Sequence, residues 1–243
     1  MGRKTRRKYL TKRQQQRVGL ERAGGLVGSQ MNETYLAQAR LLAQIAPLVL
    51  IDDTFALKGG TAINLFVRDM PRLSVDIDLA FPDYTMDRDR ALRKIGDALA
   101  AASERLAKHR FDVRPGASVE DTKLLARRDG FLVKVEANHV IRGTVGPVRS
   151  ASLTPRARDT LRVDIEIPVV SLEDLYGGKF VAAMDRQHPR DLFDVMRLFE
   201  NEGLTPGIRR AFVVYVASHP RPIHEVLNPT LKDVWPATTI LAG

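Results

Sequence analysis

The chain has 243 residues, of which 44% are hydrophobic and 28% are charged. This composition is typical of a globular protein with one large or two small domains, and no apolar run is long enough to cross a bilayer. Because there is no cysteine, disulfides and thiolate metal sites are excluded. The N-terminus also lacks the apolar core of a signal peptide, so a cytoplasmic location is expected.

The net charge of +9 is concentrated at the N-terminus. Residues 1–20 contain eight of the 38 basic residues and none of the 29 acidic ones, so the rest of the chain carries a net charge of +1. A basic arm of this kind attracts phosphate backbones, although a solubilising tail is an alternative. Residues 1–30 are therefore predicted to form a flexible basic arm.

The first ordered elements are predicted in the order helix, strand, helix, strand. "NETYLAQARLLAQIAPLVLI" has helical apolar spacing after a suitable N-cap, Asn32. "FALKGG" predicts a short strand that ends in a turn, and "TAINLFV" predicts a helix that begins at this turn. The alternating segment "RLSVDIDLAF" predicts a second strand.

The later segments predict one more helix and a set of strands before the pattern becomes helical. "DRDRALRKIGDALAAASERLAKH" predicts a long amphipathic helix. Strands are predicted for "FDVRP", "TKLLARR", "FLVKVEAN" and "TLRVDIEIPVV", the last one broken by Pro168. Helices are predicted from Ser171, from Pro189 and over residues 206–218. We therefore expect an α+β domain over residues 31–170 and a helical domain over residues 171–243.

Two aspartates lie on the same side of the second predicted strand. Residues i and i+2 of a strand share a face, so Ser74, Asp76 and Asp78 point together, away from the core. Two neighbouring carboxylates repel each other unless a cation joins them. Mg²⁺ is suited to this position because it favours one or two carboxylates together with phosphate oxygens. A solvated pair on an exposed strand is the alternative.

The segment "KGGT", Lys58 to Thr61, lies between the first predicted strand and its helix. Paired glycines let backbone N–H groups approach a phosphate closely, and the helix N-terminus favours negative charge. The Thr61 hydroxyl could add a donor. The segment is not a Walker A loop, since its lysine precedes the glycines. An ordinary strand–helix turn would also fit Gly59 and Gly60.

These motifs together resemble a known family. "GGT" followed by "SVDIDLAF" resembles the first motif of polymerase-β-like nucleotidyltransferases, and "LKGGTAINL…RLSVDIDLAF" looks like the AbiEii/AbiGii toxin branch, which includes the MenT-like toxins. The segment "LYGGKFVAAMDRQHPRDLFDV" is similar to a second motif of that branch. Its matching positions are Leu175, Lys179, Ala182, Arg186, Arg190, Asp191 and Asp194. The resemblance covers residues 32–230 and implies an α+β polymerase-β-like fold.

The resemblance also implies roles for individual residues. Asp76 and Asp78 would bind Mg²⁺, the Gly59–Gly60–Thr61 turn would cradle phosphates with Lys58, and Lys179 would neutralise charge. Asp194 would be essential, with Asp191 and Arg186 in support. Arg72 would contact phosphate or Asp78. A third carboxylate is expected on a neighbouring strand, where it would complete the metal site or activate the acceptor hydroxyl. It is assigned to Glu136, with Asp164 and Glu166 as alternatives.

The function implied by the resemblance is nucleotidyl transfer by a toxin of a toxin–antitoxin system. The donor would be an NTP, the acceptor an RNA with the tRNA 3′ end as leading candidate, and the partner a separately encoded antitoxin. Transfer to a small-molecule or protein hydroxyl is one alternative, and NTP binding without catalysis is another. The resemblance further predicts an additional helix after the last helical segment, so we expect the C-terminus of this chain to be shortened or diverged.

Overall fold

The computed structural model describes residues 33–116 and 122–232. These ranges form seven strands: β1 Ala56–Lys58, β2 Asp76–Ala80, β3 Asp112–Pro115, β4 Lys123–Arg128, β5 Phe131–Ala137, β6 Arg149–Ser152 and β7 Glu166–Val169. The helices are α1 Glu33–Val49, α2 Gly59–Ala62, α3 Arg88–Lys108, α4 Pro155–Leu161, α5 Leu172–Arg186, α6 Pro189–Glu200, α7 Pro206–Ala217 and α8 Ile223–Leu227. The α2 helix continues as a π-helical turn over Ile63–Val67.

The strands form one mixed sheet in the order β3-β4-β5-β2-β1-β7-β6. β2 pairs with β1 in antiparallel and with β5 in parallel orientation, so it lies at the centre with the two aspartates on it. The β4–β5 hairpin closes through Asp129 and Gly130, both at positive φ. A positive φ at both positions is the signature of a type I′ turn, which suits the twist of paired strands.

One face of the sheet carries the core and the other carries the charged residues. On β4 and β5 the buried side chains alternate with partly buried ones and, at Arg127, an exposed one, and α1 and α3 pack on the buried side. Ile77 and Leu79 of β2 are fully buried on this side. Strand parity then places Asp76 and Asp78 on the opposite face, as predicted.

The helices after residue 170 pack onto the sheet and onto one another. α5 begins at Ser171, whose side chain accepts a hydrogen bond from the Asp174 amide. A Cβ at Gly177 would lie 2.9 Å from the backbone of α7, so this glycine is explained by the close approach of the two helices. The main hydrophobic core includes Tyr176 and Leu198 together with sheet residues. The division at residue 170 coincides with the change from β7 to α5 and remains a prediction.

The structure corrects several predicted elements. The strand predicted over "TLRVDIEIPVV" is wrong in its first half: α4 extends to Leu161, β7 covers only Glu166–Val169, and Pro168 lies inside that strand. β6 and α4 were not predicted. The strand at the aspartates begins at Asp76, later than expected, and α2 begins at Gly59, earlier than expected.

Other expectations lie outside the described residues. These are the basic arm, the N-cap at Asn32 and the chain end after residue 232. Within the described ranges, no helix has the length and apolar character needed to span a membrane.

Candidate active site

A cavity of about 650 Å³ opens on the charged face of the sheet, between β1, β2 and β5 and the helix α5. It is lined by eleven of the thirteen predicted site residues: Lys58, Gly59, Gly60, Arg72, Ser74, Asp76, Asp78, Glu136, Lys179, Arg186 and Asp191. The other two, Thr61 and Asp194, are buried behind its wall. Residues far apart in the sequence therefore meet at one cavity.

The carboxylates of β2 face charged residues on both neighbouring strands. Asp76 is the register partner of Lys134, and Asp78 is the register partner of both Glu136 and Lys58. Burial raises the pKa of Asp78, and Asp76 raises it further, although Lys58 opposes the shift. Burial lowers the pKa of Lys58, although Asp78 opposes this shift. Burial thus disfavours the charged form of both side chains. A bound cation would stabilise the Asp78 carboxylate, and a bound phosphate would stabilise the Lys58 ammonium group.

The glycine turn is required by the position of Asp78. Gly59 has φ +75°, and a Cβ built there would lie 2.3 Å from Asp78 Oδ2. A Cβ at Gly60 would lie 2.8 Å from Arg72 Nη2 and 3.1 Å from Ser74 Oγ. Only glycine allows the first turn of α2 to approach these polar groups so closely.

The prediction for the Thr61 side chain is corrected. Its hydroxyl is fully buried and donates to the Asp76 carbonyl oxygen at 2.5 Å. Because this donor faces the strand and does not line the cavity, it fixes α2 against β2. The backbone of Gly59 and Gly60 is therefore the part of the turn from which phosphate contacts are still expected.

Among the three candidate third carboxylates, Glu136 is the one at the cavity. Lys134 Nζ lies 2.9 Å and Lys123 Nζ 3.7 Å from its carboxylate. Burial acts to raise the pKa of Glu136, but Lys134 and Lys123 outweigh it and hold this pKa below its usual range. Asp164 instead lies 3.9 Å from Arg158, and Glu166 lies on β7 beside β6; neither lines the cavity.

A chain of alternating charges connects Arg72, in the segment that precedes β2, to the helices α5 and α6. Arg72 donates from Nε to Asp194 at 2.9 Å and from Nη2 at 2.5 Å, so its carboxylate partner is Asp194 and the predicted contact with Asp78 is not formed. Lys179 Nζ lies 3.0 Å from Asp191 and 3.1 Å from Asp194. Arg186 then donates to Asp191 from Nε at 2.6 Å.

These contacts shift the pKa values of Asp191 and Arg186. Burial acts to raise the pKa of Asp191, but hydrogen bonds from Arg186 and Lys179 hold it below the usual range. The Asp191 contact raises the pKa of Arg186. Asp191 is therefore a carboxylate, and Arg186 a cation, at any pH where the protein would act.

Asn64 belongs to the site, although it was not predicted. Its Nδ2 donates to the Gly60 carbonyl at 2.8 Å and to Asp194 Oδ1 at 3.3 Å. It lies fully buried in the π-helical turn, and its Oδ1 has no hydrogen-bond partner in the described part of the chain. The available signal was a single amide inside the apolar run "TAINLFV". Asn64 joins the glycine turn to the buried charges, and π-helical turns often occur at functional sites.

The donor set fits a hard divalent cation that brings further oxygen ligands with its substrate. In residues 33–116 and 122–232, no three His, Cys, Asp or Glu side chains are grouped closely enough to hold a metal. Asp76 and Asp78 supply two carboxylates, and Gly59 leaves open the space beside Asp78 that a Cβ would fill. Mg²⁺ characteristically uses one or two carboxylates plus substrate phosphates. The site thus matches an ion that binds together with a nucleotide.

The fold matches a structurally known nucleotidyltransferase. MenT4, the nucleotidyltransferase toxin Rv2826c from Mycobacterium tuberculosis H37Rv, superposes with a TM-score of 0.60 at 18% identity, over 82% of this chain and 74% of that one. At this level of identity the likeness concerns the fold alone. It confirms the predicted fold class, the α+β fold of polymerase-β-like nucleotidyltransferases.

The family is established by sequence. The family profile described as "Nucleotidyl transferase AbiEii toxin, Type IV TA system" matches residues 40–238. The chain therefore belongs to the AbiEii nucleotidyltransferase toxin family, as the sequence motifs predicted, and it is a nucleotidyltransferase of a toxin–antitoxin system. Membership implies an NTP substrate, a divalent metal and an antitoxin partner. No curated protein sequence matches the chain.

Proposed function

We propose that this protein is a Mg²⁺-dependent toxin that transfers a nucleoside monophosphate from an NTP to the 3′ end of tRNA and thereby blocks translation. A separately encoded antitoxin would oppose it. The observation that carries this proposal is the placement of Asp76 and Asp78 beside the Gly59–Gly60 turn, opposite Arg186 in one cavity. This combination offers two carboxylates for a metal, a backbone turn for phosphates and a cation for their charge.

The residues of the chain divide the work of binding and orientation. The backbone of Gly59 and Gly60 approaches the phosphates at the start of α2, where the helix favours negative charge. Arg186 projects from the end of α5 with 62% of its side chain exposed and can contact the phosphates directly. Asp76 and Asp78 would hold Mg²⁺, which when bound neutralises phosphate charge and orients the leaving pyrophosphate.

The transfer exchanges a phosphoanhydride bond of the NTP for a phosphodiester bond to the acceptor. An acceptor hydroxyl oxygen forms a bond to the α-phosphorus, and the bond between that phosphorus and the pyrophosphate oxygen breaks. The hydroxyl proton passes to a carboxylate at the cavity, for which Glu136 is our candidate because it lies beside Asp78 on the neighbouring strand. Preorganised charges around the phosphates account for most of the rate in such sites.

Two features support an RNA acceptor. The N-terminal 20 residues carry eight basic and no acidic residues, which suits a polyanion. The cavity also opens on a sheet face where Lys134 and Lys123 are partly exposed. These features favour a nucleic acid over a small molecule, which would need no extended basic surface.

The test is transfer of label from each of the four α-³²P NTPs to purified tRNA, in Mg²⁺, after EDTA and after EDTA with Mg²⁺ restored. We expect one or more NTPs to label tRNA, and we expect periodate-oxidised tRNA, which lacks the 3′ diol, to remain unlabelled. Asp76→Asn should reduce transfer at least about 100-fold, because the metal contributes several kcal/mol of charge stabilisation. Asp97→Asn, an exposed change on α3, should match the wild type.

The remaining outcomes separate the alternatives. Label that appears on small molecules or protein of a tRNA-free cell extract, and not on tRNA, would replace the RNA acceptor by another hydroxyl. Folded protein that binds NTP but labels nothing under any condition would contradict transfer. Full activity of Asp76→Asn would contradict the site assignment.

A further inference from the structure

We propose that the acceptor's sugar-phosphate backbone lies across the exposed face of strands β5, β4 and β3, held by Lys134, Lys123, Arg127 and Arg114. We call these four residues the basic track. The inference rests on the proposed function, since it assigns the surface that would bind the RNA acceptor of that reaction. It adds the direction in which the RNA leaves the cavity.

The strand register carries the basic track away from the metal-binding carboxylates. Asp76 pairs with Lys134, Lys134 pairs with Leu125, and Leu125 pairs with Arg114. Directly paired residues share a face, so these four side chains form one row across the sheet. Three strand-to-strand steps of about 4.8 Å make the row about 14 Å long, which is room for a few nucleotides.

Two parallel rows complete the basic track. Asp78 pairs with Glu136, which pairs with Lys123. On the other side of the Lys134 row, Leu132 of β5 pairs with Arg127, which pairs with Asp112. The positive charges thus spread over β5, β4 and β3 and begin directly at the catalytic carboxylates.

In the part of the chain that the structure describes, this face is accessible to a partner. The helices α1 and α3 pack on the other face of the same strands, where Leu124, Ala126 and Val133 are buried. On the track side, the exposed fraction of the side chain is 39% for Lys134, 43% for Lys123 and 66% for Arg114. Arg127 is exposed as well.

The charges on this face are available to phosphates. Among the residues that the structure describes, four cations stand against two carboxylates, Glu136 and Asp112, and the ion pairs given for them are partly exposed and up to 3.9 Å long. Exposed pairs of this kind contribute little, so phosphate oxygens can take the place of the carboxylates.

The apolar residues of this face indicate what is recognised. Leu125 and Leu132 lie between the cations, whereas Phe131 is on the opposite face by strand parity. Single-stranded nucleic acid is usually read by bases that stack on aromatic side chains. A face with aliphatic residues and cations is suited to backbone contacts, which position the RNA without reading its sequence.

The test compares the double variant Arg114→Gln/Arg127→Gln with Arg90→Gln/Arg93→Gln, in the full-length protein. The control pair removes the same charge from the exposed side of α3. The assay measures KM and kcat for tRNA and the dependence of KM on salt, together with the Kd for NTP. Each lost phosphate contact lowers the salt slope by about 0.7, so two contacts lower it by about 1.4 and raise KM roughly 25-fold at 0.1 M salt, relative to a 1 M reference.

A selective rise in KM for tRNA, with a shallower salt slope and an unchanged Kd for NTP, supports the basic track. If the wild type labels tRNA and the track variant has the KM and salt slope of the control pair, the basic track is refuted while the proposed function stands. If the wild type labels no RNA with any NTP, the proposed function fails and the inference fails with it.

Discussion

The close contact between Gly59 and Asp78 makes Gly59→Ala the sharpest test of the site. At φ +75° an alanine is held in the left-handed region, which costs about 1–2 kcal/mol. Its Cβ would also lie 2.3 Å from Asp78 Oδ2 and 3.1 Å from Asp78 Cγ. Since the ordinary contact distance is more than 1 Å longer than the first of these, the Asp78 carboxylate has to turn away or the turn has to move.

The chain contains a matched control for the backbone effect. Gly130 in the β4–β5 turn has φ +80°, and a Cβ added there would have no neighbour within 4 Å among the described residues. Gly130→Ala therefore meets the same left-handed strain without the clash. With about 2–4 °C of Tm per kcal/mol for a chain of this size, Gly130→Ala should lose about 2–8 °C. Gly59→Ala should lose at least as much, because its clash with Asp78 adds to the same strain.

Activity should separate the two variants. A displacement of about 1 Å at a catalytic group commonly costs about 100-fold in rate, so Gly59→Ala should lose at least that much nucleotidyl transfer. Gly130→Ala should keep the wild-type rate, measured on tRNA at saturating NTP well below both Tm values. If Gly59→Ala transfers as fast as Gly130→Ala, the approach of the turn to Asp78 has no catalytic importance and our interpretation of the site is wrong.

Three further changes test the walls of the cavity. Lys179→Met leaves two buried carboxylates without their shared cation and should lower the free energy of unfolding by about 3–5 kcal/mol. Arg186 is exposed, so Arg186→Met should chiefly raise the Kd for NTP. Denaturant unfolding and NTP titration of both variants distinguish the two effects. The pKa of Asp191 is lowered in the folded state. The ionised carboxylate therefore stabilises the fold above the unfolded pKa near 3.8, and this stabilisation is lost as pH falls through the folded pKa. The difference in Tm between wild type and Asp191→Asn should accordingly shrink on acidification below pH 4. Gly177→Ala should lower the free energy of unfolding by about 1–3 kcal/mol, because the added Cβ pushes α7 away. Gly178→Ala should be neutral or stabilising, because its Cβ would lie 3.4 Å from the nearest neighbour. Thermal melts of the two variants should differ accordingly, and equal Tm values would contradict the packing argument.

The parts of the site that the sequence predicted are those that depend on local geometry. The alternation around Asp76 and Asp78 fixed their common face, because strand parity needs no knowledge of the neighbouring strands. The turn at Gly59 and Gly60 could be predicted because the two glycines lie between an apolar strand and an apolar helix. The family resemblance then added the residues of α5 and α6, whose distance in sequence no periodicity could bridge.

The errors arose where partners are distant or where two patterns compete. The Thr61 hydroxyl and the Arg72 guanidinium have the chemistry of phosphate ligands, but tertiary contacts commit them to the Asp76 carbonyl and to Asp194. The alternation of "TLRVDIEIPVV" extended a strand into residues that end α4. A start signal for that helix was present, since Thr154 precedes Pro155 at its first position.

The buried charges change which residue is expected to meet the nucleotide. Lys179 is only 6% exposed and lies 3.1 Å or less from both Asp191 and Asp194, so its charge is already shared between two carboxylates. Counting Arg72 and Arg186 as well, three cations face two anions, so this cluster of five side chains carries a net charge of +1. Arg186 is the exposed member, so we infer that it presents this charge to the phosphates. We propose that Lys179, which was predicted to neutralise phosphate charge and which lines the cavity, instead acts as a positioning residue that holds α5 and α6 together.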